Sequence, residues 1–310
     1  MRLTLKFLSK QLNLIGLANG YGGRHLGCEE AVKVLKNSSI FKECKIPYKW
    51  NSIIEETVTG RSVNALEGVI KNSQQLCNET ARFVKENEEL LVIGGDHSSA
   101  IGTWSGVATA LRSKGDIGLL WVDAHMDSHT FETSFTGNIH GMPVAHLLGF
   151  GNDKLTTIGD NFPKIKPSNL ALVGIRSYEP AEEKLLTSLG VKIFYMKDVH
   201  KYGLDKCMEK AIERISENTI GYGMSIDIDS FRVEDAPAVG TPEDDGIVAV
   251  EFMNFIKNAN LDKLLVTEIV EFMPKKDDEN KKSEKLVKKL VESIYEKRFK
   301  KNTLLSYNVL

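Results

Sequence analysis

From residue 90 onward the chain repeats one pattern. A short, almost wholly apolar run ends in Gly, Asp or His, and a segment with helical spacing follows. The run 90–93 leads into Gly94-Gly95-Asp96-His97, 117–122 into Asp123-Ala124-His125, and 170–173 into Gly174-Ile175-Arg176. The run 191–195 follows a helical stretch near 179–189, 219–228 contains Asp227 and leads into Asp229, and 264–270 ends in Glu271. Runs without polar alternation predict strands buried on both faces. Helices between them predict βαβ units and a parallel sheet. Nearer the start, Leu3, Leu5 and Phe7 alternate, and the apolar run 12–18 closes on Asn19-Gly20, so both read as early strands.

Toward the end, Leu286, Leu290 and Ile294 recur every four residues within the Lys- and Glu-rich stretch 275–301. That spacing predicts a charged helix near 281–299 with one apolar face. Glu284, Glu292 and Glu296 interrupt its basic residues, so its outer side reads as a solvated face rather than a nucleic-acid or membrane patch. No internal repeat and no Pro/Gly/Ser linker divides the chain, and the loop-like 237–246 is too short to do so. The expectation is one α/β domain over residues 1–310.

Composition narrows the class. Of 310 residues, 42% are apolar and 26% charged, which excludes a disordered, collagen-like or disulfide-stapled chain. No apolar run approaches the roughly 18–20 residues of a membrane helix. Forty basic against 42 acidic residues leave a net charge of -2, unlike a general nucleic-acid or acidic-membrane binder. Cys28, Cys44, Cys77 and Cys207 are scattered with no CxxC pair. They read as reduced thiols of a cytoplasmic protein, not as a disulfide framework or a thiolate zinc site. Arg2, Lys6 and Lys10 make the start basic, but Lys10 and Asn13 break any secretory core, so no cleaved signal is expected.

The chemistry sits at the ends of the runs. Of seven histidines, His97, His125 and His129 fall within a few residues of strand ends, beside Asp96, Asp123 and Asp127. Open α/β sheets bind ligands outside the carboxyl ends of their strands. In Asp123-Ala124-His125-Met126-Asp127 the alternate residues face one way if the segment is extended. Ser225-Ile226-Asp227-Ile228-Asp229 repeats the device, with Asp227 between two isoleucines. An aspartate there costs several kcal/mol unless paired or metal-bound. His97, Asp123, His125, Asp127, Asp227 and Asp229 make a set of two imidazoles and four carboxylates without thiolate, which suits manganese or a similar divalent ion better than structural zinc. Six ligands exceed what one catalytic ion with open positions needs, and they suit a carboxylate-bridged pair roughly 3.5–4 Å apart.

Gly94-Gly95-Asp96-His97-Ser98, Asp123-Ala124-His125-Met126-Asp127 and Ser225-Ile226-Asp227-Ile228-Asp229, in this order and spacing, resemble the three signatures of the arginase/agmatinase (ureohydrolase) family. The resemblance spans roughly residues 90–275, with a looser fit at Ile15-Gly16 and Gly27-Cys28-Glu29-Glu30-Ala31. It implies a single three-layer αβα domain around a mostly parallel eight-stranded sheet, and homo-oligomers, as trimers or hexamers. It further implies two manganese ions, with cobalt, iron or nickel as substitutes. His97 and Asp127 would hold one, His125 and Asp229 the other, and Asp123 and Asp227 would bridge them. A hydroxide shared by the ions would attack the guanidinium carbon of the substrate, giving urea and an amine. Asp127 thus counts among the catalytic residues as well as the ligands.

Two more segments match. Gly137-Asn138-Ile139-His140-Gly141 resembles the family segment with a histidine proton shuttle, making His140 the candidate acid; imidazole titrates near neutrality. Glu271-Phe272-Met273-Pro274 resembles the family's Glu-x-x-Pro, whose glutamate pairs with the guanidinium, a planar fork that matches a carboxylate; Glu268 is the rival. For the far end of the substrate, Ser134, Thr136 and Asn138 match polar contact positions of arginases. Glu179 matches the acidic position that receives the α-ammonium. His129 replaces the asparagine usual in animal arginases, but its imidazole can still donate to the substrate carboxylate and it counts with the substrate-binding residues; Arg232-Val233 departs from the usual Asp-Pro after the third signature. The pattern favours L-arginine. The alternatives are another ureohydrolase substrate (agmatine, guanidinobutyrate or formiminoglutamate) or, on related architecture, an amide deacetylase.

Overall fold

The computed structural model describes residues 11–55 and 58–307. Eight strands form one sheet: β1 (Leu12–Leu17), β2 (Tyr48–Ile54), β3 (Leu90–Ile93), β4 (Gly118–Val122), β5 (Leu170–Ile175), β6 (Lys192–Tyr195), β7 (Tyr222–Asp227) and β8 (Leu264–Val270). Their order is β2-β1-β3-β8-β7-β4-β5-β6, and every pairing is parallel. Where a mostly parallel sheet was expected, the described one is parallel throughout. The expected strand at Leu3, Leu5 and Phe7 lies outside the described residues.

Alternation within each strand builds the three layers. Leu91 and Ile93 of β3, Leu120 and Val122 of β4, and Met224 and Ile226 of β7 face one core. That core is closed by the helices Leu204–Ser216, Ala249–Asn258 and Lys282–Tyr307. Leu90, Val92, Leu119 and Trp121 face the other, packed under the helices Leu66–Lys85 and Ser99–Leu111. Strands buried on both sides have no polar face to show, which is why they read as unbroken apolar runs. β2 escaped that reading for the complementary reason. It is an edge strand, half-exposed along most of its length, and Lys49, Asn51 and Ser52 interrupt its apolar positions.

The C-terminal helix runs Lys282–Tyr307, eight residues beyond the predicted end at 299. Leu286, Leu290 and Ile294 are buried as their spacing requires, each such side chain stabilising the fold by about 1.5–3 kcal/mol. Glu284 departs from the expected solvated face: it is buried and accepts a hydrogen bond from Ser38 Oγ. Arg298 also turns inward, forking onto Glu89 at 2.9 Å and donating to Leu261 O and Leu264 O. Among the described residues no helix is long and apolar enough to cross a membrane.

The central strands β3, β8, β7 and β4 all end at one edge of the sheet. The chain after β3 passes so close to the segment after β1 that a Cβ on Gly95 would lie 1.6 Å from Asn19 O. That carbonyl accepts the Asp96 N–H at 2.8 Å. Asp96 in turn takes the Gly22 N–H at 2.8 Å on its carboxylate, so the Gly-Gly-Asp segment fastens the N-terminal loop over the edge where the histidines emerge.

Candidate metal centre and active site

His97 follows β3, Asp123, His125 and Asp127 follow β4, Asp227 ends β7, and Asp229 lies in the turn just beyond it. Parallel pairing of β4 with β7 sets Val122 beside Ile226, so their ends bring both Asp motifs to one point. His97 Nδ1 lies 3.0 Å from Asp123 Oδ2, 3.1 Å from Asp127 Oδ2 and 3.2 Å from Asp227 Oδ2. His125 Nδ1 lies 3.2 Å from Asp229 Oδ2 and 3.4 Å from Asp123 Oδ1. Two groups of donor atoms result, His97/Asp123/Asp227 and Asp123/His125/Asp229, each compact enough for one ion. Asp123 belongs to both, one oxygen turned to each imidazole. Asp127 sits with His97 and Asp229 with His125, the division that the resemblance implied.

The donor set fits divalent ions. His97 Nδ1 is buried and makes no well-formed hydrogen bond, although three carboxylate oxygens surround it. Such a ring of acceptors around an orphaned nitrogen matches the placement of ligands about a common centre. The charges agree. Burial, then Asp229 and Asp123, push Asp227 well above the usual carboxylate range. Burial and Asp123 push Asp127 up to about 6. Burial resists a charge on His97, yet the adjacent carboxylates of Asp123, Asp127 and Asp227 outweigh this and raise it well above the usual imidazole value. Burial likewise opposes ionisation of Asp123, but the neighbouring imidazoles of His125 and His97 hold it low. Four buried carboxylates thus crowd two imidazoles, an arrangement that bound cations would balance, since buried charges require partners. Oxygen and nitrogen donors without sulfur suit manganese and its neighbours.

Residues behind the ligands fix them. The His97 ring stacks on Trp121, with centroids 4.0 Å apart and planes at 7°, and Trp121 Nε1 donates to Asp123 Oδ2 at 2.8 Å. His97 Nε2 lies 3.0 Å from Ser225 Oγ, which donates to Glu268 Oε2 at 2.7 Å; Thr103 holds Oε1 at 2.5 Å. Glu268 is therefore the buried support of His97, not a rival to Glu271. Such outer hydrogen bonds set the orientation of metal-binding imidazoles. Thr241 Oγ1 reaches Asp229 Oδ2 at 3.2 Å. Arg176 donates to the carbonyls of Asp229, Ser230, Glu243 and Asp244, tying the loop 237–246 to the site. Arg232 pairs with Asp235, which also accepts the Ala249 N–H at a helix start.

Glu271 and His140 meet beside the two groups. His140 Nδ1 lies 2.9 Å from Glu271 Oε1, which also accepts the His97 N–H at 2.9 Å, and Cys28 Sγ approaches Oε2 at 3.2 Å. Burial opposes protonation of His140, but the Glu271 carboxylate prevails and raises it to about 9. Burial equally opposes the charge on Glu271, while His140 and the His97 N–H hold its carboxyl low. Both Asp127 (φ 47°) and Glu271 (φ 64°) have positive φ, a sparsely populated backbone for residues with a Cβ and one that concentrates at functional sites.

A pocket lined among others by Asp127, His140, Ser134, Thr136, Asn138 and Glu179 opens onto this edge, and a second, lined by Asp96 and Arg24, shares His140 and Glu271 with it. Ser134 Oγ accepts the Gly137 N–H at 3.0 Å, Thr136 Oγ1 the Asn138 N–H at 3.2 Å, and Asn138 Oδ1 the Ser62 hydroxyl at 2.6 Å. Across the pocket, Glu179 starts the helix Pro180–Ser188. Glu182 Oε2 accepts the Glu179 N–H and Oε1 the Ser128 N–H, both at 3.0 Å. Burial, only partly offset by these bonds, pushes Glu182 up to about 8. His129 joins the two sides through Glu179 and Thr133. The six candidate ligands, His140, Glu271 and the residues proposed for the far end of the substrate thus lie around one pocket, whereas Arg232 pairs with Asp235 outside its lining. Thr241 and Glu182, which the sequence did not single out, are support residues, as are Cys28 and Ser225, which stood within matched segments without an assigned role.

A model of the arginase family matches residues 14–296. The chain belongs to the arginase family. The arginase of Bacillus caldovelox is 40% identical over 219 residues, covering 70% of this chain and 72% of that protein. A native structure of arginase from Bacillus caldovelox superposes with a TM-score of 0.84 at 32% identity, covering 93% of this chain and 98% of that one. The structure of Entamoeba histolytica arginase in complex with L-ornithine matches with a TM-score of 0.79 at 29% identity, covering 94% and 99%. As a member of the arginase family, the chain is a metal-dependent amidinohydrolase, and its two His-carboxylate groups are compatible with the binuclear metal dependence of that family.

Proposed function

We propose that this chain hydrolyses L-arginine to L-ornithine and urea, with manganese as its metal. The observation that carries the reading is the placement of two His-carboxylate groups sharing Asp123 at the floor of a pocket that has hydroxyls on one wall and carboxylates on the other. A guanidinium fits the floor, and the ammonium and carboxylate of an amino acid fit the walls.

His97, Asp127, Asp123 and Asp227 would hold one ion, and Asp123, Asp227, His125 and Asp229 the other. A pair of divalent ions there would supply a water acidified toward a pKa of about 7, a nucleophile at neutral pH. Glu271 accepts from the planar guanidinium and turns its carbon toward that water. Addition makes the carbon tetrahedral. His140, held by Glu271 at 2.9 Å, delivers a proton to the departing amine nitrogen as the C–N bond breaks, and the hydroxyl left on the carbon gives up its proton to solvent as its oxygen becomes the urea carbonyl, so ornithine leaves as an amine and urea remains. At the far end, Ser134, Thr136 and Asn138 donate toward the α-carboxylate and Glu179 accepts from the α-ammonium.

His140→Ala is expected to lower turnover by about 10²–10⁴-fold, the usual worth of general acid–base catalysis, with two ions still bound. Loss of both ions in that variant would make His140 structural instead. The reading as a whole is tested by urea release from L-arginine and agmatine after incubation with manganese. L-Arginine is expected to be much the better substrate. Preference for agmatine would overturn the assignment of the far end, and absence of urea from both would overturn the reaction.

A further inference from the structure

The one pocket position noted as departing from the family pattern touches one that matches it. His129 stands where animal arginases carry asparagine, and Glu179 is the acidic residue across the pocket. His129 Nε2 hydrogen-bonds Glu179 Oε2 and lies 3.4 Å from Glu182 Oε2. Its Nδ1 lies 3.0 Å from Thr133 Oγ1, and its backbone N–H donates to Gly141 O at 3.0 Å. The ring is buried, at 8% exposure. Both ring nitrogens are thus engaged by the protein, and neither is presented to a substrate carboxylate. The expected direct contact gives way to a brace.

We propose that His129 is a specificity-determining positioning residue that sets the spacing between the hydroxyl wall and the acidic wall, and so selects guanidino substrates whose far end is an α-amino acid. The inference rests on the L-arginine reading above. On one side, the Thr133 hydroxyl that meets the ring also accepts the Thr130 N–H at 2.9 Å, and Ser134 N–H closes the same turn on Thr130 O at 2.9 Å. The turn leads directly into Ser134 and Thr136. On the other side, Glu182 is pinned by the Ser128 and Glu179 N–H groups, so the ring meets a fixed helix start. A flat ring of fixed width between them leaves little play. Preorganisation of this kind acts through the cost of ordering the contacts on binding. It bears on the α-carbon end of the substrate and leaves the reacting carbon alone.

The test compares wild type, His129→Ala and His129→Gln, loaded with manganese, on L-arginine and on agmatine, which lacks the α-carboxylate. His129→Ala is expected to raise KM for L-arginine by about tenfold or more with little change in kcat, the signature of lost uniform binding, and to leave agmatine hydrolysis unaltered. His129→Gln, whose amide nitrogen can replace Nε2 toward Glu179, is expected to recover most of the loss; it also serves as the folding control. Equal loss on both substrates, or no change on either, would overturn the inference while the L-arginine reading stands. A wild type that prefers agmatine would overturn that reading itself, and the inference with it.

Discussion

Asp123→Asn is expected to lose bound metal and turnover together. Asp123 is buried, and its two oxygens face different imidazoles, His97 at 3.0 Å and His125 at 3.4 Å. An amide keeps the shape but removes the anionic bridge, and its NH₂ would turn two hydrogens toward a cation. Metal-assisted polarisation is worth several kcal/mol, at about 1.4 kcal/mol per tenfold in rate, so turnover should fall by about 10³-fold or more. Elemental analysis after dialysis should find fewer than two ions per chain. Near-wild-type turnover in this variant would remove Asp123 from the centre.

Glu271→Gln is expected to fail differently. It touches no donor atom of the two groups directly; its contacts are the His97 backbone, His140 and Cys28. Two ions should therefore remain bound. The variant loses the charge that faces the guanidinium and orients His140. Hydrogen bonds to charged groups contribute about 1.5–3 kcal/mol each, so kcat/KM for L-arginine should drop by roughly 10²–10³-fold. Loss of metal with activity would show that Glu271 supports the ligands through the His97 N–H, and unchanged kinetics would show that the guanidinium is held elsewhere.

The central sheet and the ligand set were legible because each follows from a strong local constraint. Strands buried on both faces must be apolar, so β3, β4, β5, β7 and β8 announced themselves as runs. An aspartate at the end of such a run, as Asp227 is, demands a partner and so points to chemistry. β2 was passed over because a half-exposed edge strand obeys neither rule. The pairing of Glu284 with Ser38 links residues 246 positions apart, and helical periodicity carries no trace of so distant a contact. The same holds for Glu268, whose place behind His97 depends on β7 lying between β4 and β8. The positive φ of Asp127 and Glu271 is a property of the folded site that residue type alone does not betray. His129 was noticed in the sequence as a departure, but only the fold shows that its two nitrogens are already taken.

Anomalous diffraction from manganese-soaked crystals tests the centre most directly. Two peaks per chain are expected, roughly 3.5–4 Å apart: one among His97, Asp123, Asp127 and Asp227, the other among Asp123, His125, Asp227 and Asp229. A single peak, or peaks away from these side chains, would contradict that assignment.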